Sequence, residues 1–91
     1  MTVTIGHLIF DRVRYDADAD VLYLHIGDPE GAVEFDETPE GHAVRLDADG
    51  QVVGLTLVGA RRLLEENGEV QVTLPVPKRV SAGELLPAFA A

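Results

Sequence analysis

Two short acidic turns, each placed directly before a strand-like run, constrain this chain more than any other feature. The first is Tyr15-Asp16-Ala17-Asp18-Ala19-Asp20, ahead of Val21-Leu22-Tyr23-Leu24. The second is Asp47-Ala48-Asp49-Gly50, ahead of Gln51-Val52-Val53-Gly54-Leu55. Asp side chains accept hydrogen bonds from backbone N–H groups just ahead of them and tolerate left-handed dihedrals. Asp-Gly between alternating hydrophobic residues is a strong hairpin signal. The two segments therefore read as β-hairpins with carboxylates at their tips.

Alternation extends the β reading to most of the chain. In Val21 to Ile26 one face carries Leu22, Leu24 and Ile26, and the other carries Val21, Tyr23 and His25. Both faces are fairly apolar, which predicts a central strand or a second face covered at a dimer contact. Leu8 to Tyr15, Val33 to Asp36, Ala43 to Asp47, Gln51 to Val58 and Glu69 to Leu74 are further predicted strands. Gly54, in mid-strand, marks a bulge or a close neighbour. Pro75 and Pro77 are expected to end the last strand.

Between Gly59 and Gly68 the period changes to that of a helix, with Ala60, Leu63 and Leu64 on one face. Its charges run against the macrodipole: Arg61 and Arg62 stand near the N-terminus, Glu65 and Glu66 near the C-terminus. The helix must therefore be held by Leu63 and Leu64 packing on the sheet. Ser81 and Glu84 have capping-box spacing for a second short helix that buries Leu85 and Leu86, limited by Pro87 and anchored by Phe89. The predicted fold class is α+β: a small antiparallel β-sheet, a hairpin meander, with one or two short helices packed on one face. Residues 1–91 read as a single domain, with 1–7 an edge strand or flexible tail and 63–91 a C-terminal strand and short helix.

Charge and composition exclude several functions. The net charge is −9, and residues 1–50 hold all of it, with twelve Asp and Glu against three Arg. A field of that sign repels phosphate backbones, so nucleic-acid binding by this chain alone is not expected. It suits a basic protein partner, a divalent cation, or solubility alone. Cysteine is absent, so no disulfide or thiolate site supports the fold. A core of Leu, Val, Ile and Ala in 91 residues is small, and such domains often complete it with a second copy. No apolar run approaches the roughly 20 residues of a membrane helix. The start, Met1 to Gly6, lacks the basic and apolar parts of a signal peptide, so a cytoplasmic location is expected.

From about Arg14 to Arg62 the chain resembles the domain of unknown function 2283 family of short bacterial and archaeal proteins. Tyr15-Asp16, Ala19-Asp20, Leu22-Tyr23-Leu24, Asp47, Asp49-Gly50, Val53-Gly54 and Leu55 carry the resemblance. Residues 14–62 are then the family-like hairpin core. The family pattern places a glutamate after the Gly-Ile/Leu pair, where this chain has Thr56. The resemblance implies a small β-rich fold with no assigned activity. It also implies small two-protein modules of the toxin–antitoxin kind for some relatives.

Candidate chemistry is sparse, and no cofactor is expected. Asp16, Asp18 and Asp20 imitate the start of a calcium loop, but Val21 stands where its sharp-turn glycine belongs and Gly27 where its bidentate glutamate belongs. A solvated hairpin tip is the ordinary reading. His25 and His42 lack metal-ligand spacing, yet a sheet-face His25 and a strand-opening His42 are expected to approach each other, a pair that with a nearby carboxylate suits zinc or acid–base chemistry. Interfacial or exposed histidine is the ordinary reading there. Ser81 reads as a cap rather than a nucleophile. Val21, Tyr23, Leu85, Leu86 and Phe89 are the interface candidates. The leading expectation is a non-enzymatic domain acting through homodimerisation or protein–protein interaction. The alternatives are an antitoxin-like partner of a small basic toxin and a weak divalent-metal-binding or metal-dependent enzyme.

Overall fold

A computed structural model of the chain describes residues 2–74 and 77–90. Strands β1 (Val3–Ile5) and β2 (Leu8–Phe10) form a first hairpin, reversed at Gly6. Strands β3 (Arg12–Asp16), β4 (Val21–His25), β5 (Glu34–Glu37), β6 (Ala43–Leu46) and β7 (Val52–Val58) make the main antiparallel sheet. Helix α1 (Ala60–Asn67) leads into a last hairpin of β8 (Glu69–Thr73) and β9 (Pro77–Ser81). Helix α2 (Ala82–Leu85) follows and runs into a 3-10 turn, Leu86–Ala90. Among the described residues no helix is long and apolar enough to cross a membrane.

The main sheet has the order β3-β4-β7-β6-β5, so the expected meander is only partly formed. Strands β5, β6 and β7 do run consecutively, but β7 inserts beside β4 and sends β5 to the far edge. The reason lies in composition. Val52–Val58 is the longest apolar strand and gains most from a central position, whereas Glu34-Phe35-Asp36-Glu37 is exposed at every residue and suits a charged edge. The predicted strand Leu8 to Tyr15 divides at Asp11, its first part pairing with β1 and its second with β4.

Both acidic turns reverse the chain as expected. Asp47 Oδ1 accepts from the Asp49 and Gln51 N–H groups (2.9 and 3.0 Å), and Gly50 takes φ 78°. Val70, Val72 and Leu74 face inward together. Pro77 opens β9 opposite Thr73 rather than ending a strand; Pro75 lies outside the described residues. Ser81 precedes α2, but its hydroxyl donates to Glu84 Oε1 at 3.1 Å instead of accepting a backbone N–H. The Pro87-containing turn tightens from α to 3-10, which shifts the helical phase. Leu85 and Ala88 are fully buried, and Leu86 is turned out, 58% exposed.

One continuous core unites these parts. Leu22, Leu24, Val44, Leu55 and Leu57 line the inner face of the main sheet. Val3, Ile5 and Phe10 cover it, with Ala60, Leu64, Val70, Val72, Val80 and Leu85. The main sheet, the flanking hairpins and the helices thus bury their apolar residues in one shared core. The opposite face of the main sheet is open.

Candidate interaction surface

Two carboxylates of the first acidic turn, Asp16 and Asp20, are taken up by the fold, and Asp18 is exposed at its tip. Asp16 Oδ1 accepts from the Asp18 and Ala19 N–H groups (3.1 and 3.3 Å). Asp20 lies in the left-handed region (φ 54°), and its carboxylate accepts from the Arg61 and Arg62 N–H groups at 2.9 and 3.1 Å. The Tyr15 hydroxyl donates to the same carboxylate at 2.7 Å, and the Asp20 carbonyl accepts from Gly59 N–H at 2.8 Å. Residue 59 is a glycine with no capping side chain, so Asp20 caps α1 from a distant hairpin. Burial would raise its pKa, but the Arg61 N–H, the Tyr15 hydroxyl, the Arg62 N–H and the Arg61 charge outweigh that and hold it below the usual carboxylate value. A carboxylate so engaged has little capacity left for a cation.

The two histidines do not meet. His42 precedes the outward Ala43 and falls on the inner side, 1% exposed, in a cavity with Glu40, Leu63, Asn67, Glu69, Gln71 and Arg79. Its Nδ1 accepts from Val58 N–H at 3.1 Å, so the ring proton sits on Nε2. That N–H faces the Gln71 backbone without closing a hydrogen bond. Burial holds the His42 pKa below its usual value, against the nearby Glu40 charge. Glu40 itself is tied to Thr73, accepting from its N–H and hydroxyl at 3.1 and 2.8 Å. His25, by contrast, alternates onto the outer face, 8% exposed. Its Nδ1 lies 3.1 Å from the Ile26 carbonyl, which can only accept, so Nδ1 is the donor there, and Nε2 is buried without a partner. Among the described residues no three His, Asp or Glu side chains converge as a metal site would require.

What the fold does assemble is the open face of the sheet. The register aligns its outward residues in rows. One row runs Arg12, His25, Gly54, Arg45, Phe35; the next runs Arg14, Tyr23, Thr56, Ala43, Glu37; Val21 and Val58 pair beyond them. Arg12, Arg14, Tyr23, His25, Phe35, Ala43, Arg45 and Thr56 border a shallow groove of about 460 Å³. Gly54 lies buried between His25 and Arg45: a Cβ there would stand 2.9 Å from the His25 ring and 3.0 Å from Arg45 Cβ. Tyr23 is 37%, Val58 47% and Phe35 70% exposed. Arg14 stacks on Tyr23 with its guanidinium 4.7 Å from the ring centroid, and Arg45 on Phe35 at 4.9 Å. The ion pairs among the described residues are Arg62–Glu66 and Arg79–Glu69. Arg12, Arg14 and Arg45 take part in neither, although the chain holds sixteen carboxylates.

Of the five apolar candidates, Val21 and Tyr23 lie on this face. Leu85 is inside the chain's own core, Leu86 is exposed elsewhere, and Phe89 packs edge-on against Tyr15 with centroids 4.6 Å apart. Phe35, Val58 and the three arginines escaped sequence reasoning. Their signal was strand parity, which assigns Arg12 and Arg14 to one face, but which strands would lie beside them is not written locally.

A family model described as a protein of unknown function, DUF2283, matches residues 12–61. The match covers more than half of the chain and runs from the first residue of β3 to the Arg61 that Asp20 caps. No curated protein matches the chain, and no solved structure does.

Proposed function

The chain belongs to the DUF2283 family, and from that premise we propose that it is a non-enzymatic interaction domain that self-associates through the open face of its main sheet. One observation carries the reading. Three arginines and two aromatic rings gather on the uncovered face of an acidic chain, and among the described residues none of these arginines forms an ion pair. Aromatic residues and arginine are the types enriched where proteins dock, particularly around an apolar centre. Here that centre is Val21, Tyr23, Ala43 and Val58. The open face contrasts with the inner face, where Leu22, Leu55 and Leu57 are covered by the chain itself.

Sedimentation velocity across micromolar concentrations tests this. The wild-type chain is expected to sediment as a dimer that dissociates on dilution, and Tyr23→Glu is expected to remain monomeric. A wild-type chain that stays monomeric throughout, or a Tyr23→Glu variant that dimerises equally well, would overturn the proposal.

A second reading, capture of a small basic protein, has support from the acidic edge strand, whose Glu34, Asp36 and Glu37 are all exposed. Co-purification of a basic protein with the wild-type chain, lost on reversing those three charges, would favour it.

A further inference from the structure

We infer that the second copy docks face to face about a two-fold axis parallel to the strands and centred on β7, which lays the basic edge of each sheet over the acidic edge of its partner. The inference rests on the self-association proposed above and specifies its geometry. The sheet order places β3, with Arg12 and Arg14, at one edge and β5, with Phe35 and Glu37, at the other. Two facing sheets can be related by an axis in the plane between them that runs either along the strands or across them. An axis across the strands sets β3 on β3 and β5 on β5, so the β3 arginines crowd one another, which is repulsive, and Glu37 gains no basic partner. An axis along the strands reverses the order of the strands and leaves every residue at its own height.

The register then dictates the contacts row by row. Arg14 meets the partner's Glu37, Tyr23 meets the partner's Ala43, and Arg12 meets the face of the partner's Phe35. Gly54 lies beneath the axis, with His25 and Arg45 of its own chain closed over it. His25 meets the partner's Arg45. The charged pairs and the large-on-small pair are thus satisfied by one operator. Twisted sheets packed in this way keep their strands within about 30° of one another, which preserves these neighbours.

A charge exchange tests the geometry. Arg14→Glu and Glu37→Arg each place like charges opposite each other, and each is expected to weaken dimerisation at least ten-fold. The double variant restores opposite charges and is expected to return to within about three-fold of the wild type. Both side chains are exposed, so unchanged circular dichroism and melting temperature will establish that the fold is intact. A second measurement uses the absence of cysteine from the chain. In the otherwise native protein, Arg14→Cys with Glu37→Cys is expected to form a covalent dimer with a short bis-maleimide, and Arg14→Cys alone is not. If Tyr23→Glu abolishes the dimer but the charge exchange brings no recovery, the docking face stands and this axis is wrong. If the wild type is monomeric, both fall.

Discussion

Asp20 shows how much of a fold one side chain can hold together. Its carboxylate closes the first acidic turn through Tyr15 and caps α1 through two N–H groups. It thereby supplies the negative charge that the Arg61-Arg62 start of the helix lacks. Asp20→Ala is expected to cost about 1–2 kcal/mol, read as a lower urea midpoint with unchanged slope. The pH dependence follows from the same contacts. The folded-state pKa of Asp20 is depressed, so its contribution is complete above the unfolded value of about 3.9 and is lost as pH falls through the folded value. His42 acts in the same direction and begins higher. It is held neutral in the fold and takes up a proton in the unfolded chain near pH 6.5, so stability is expected to decline as pH falls below that value. Urea titrations at several pH values will check this. In His42→Gln the decline between pH 6.5 and 5 should flatten, and in Asp20→Ala the decline at the lowest pH should.

At the level of elements, Gly54 and the β6–β7 pairing explain each other. The register shifts between Arg45 and Leu46, so Val53 is left over and the strand bulges next to the glycine. His25 and Arg45 close over the space that a side chain would occupy. Gly54→Ala is therefore expected to destabilise by about 1–3 kcal/mol, through overpacking rather than backbone strain. Thermal unfolding measures this cost, and a neutral result would show that the His25 ring can move aside. Helix α1 makes the complementary point. Leu64 is buried and Leu63 partly so, yet the helix begins where it does because Asp20 meets it there.

For the molecule as a whole, the division of labour is between a covered face and an open one. The matched residues 12–61 supply the main sheet, and the hairpins before and after it close the inner side. Aromatic and arginine residues remain on the outer side. Exchanging Phe35 for Ser on that face should leave stability within about 0.5 kcal/mol, because the ring is largely exposed. Under the proposed pairing it should weaken self-association several-fold, as concentration-dependent sedimentation will read. Loss of stability without loss of association would argue that Phe35 serves the fold instead.

Local chemistry was enough to announce the turns at Asp16–Asp20 and Asp47–Gly50, the shared face of Leu22 and Leu24, the anomaly at Gly54, and the helix from Ala60. Each depends on neighbours a few residues apart, where backbone geometry and periodicity act. The position of β7 between β4 and β6, the outward swing of Leu86, the separation of His25 from His42 and the capping of α1 by Asp20 were not legible in this way. They depend on residues tens of positions apart competing for one small core, and that competition is settled only when the whole chain packs. The arginine-bordered face belongs to the second group: parity aligns the residues within each strand, but only the order of the strands joins them into a surface.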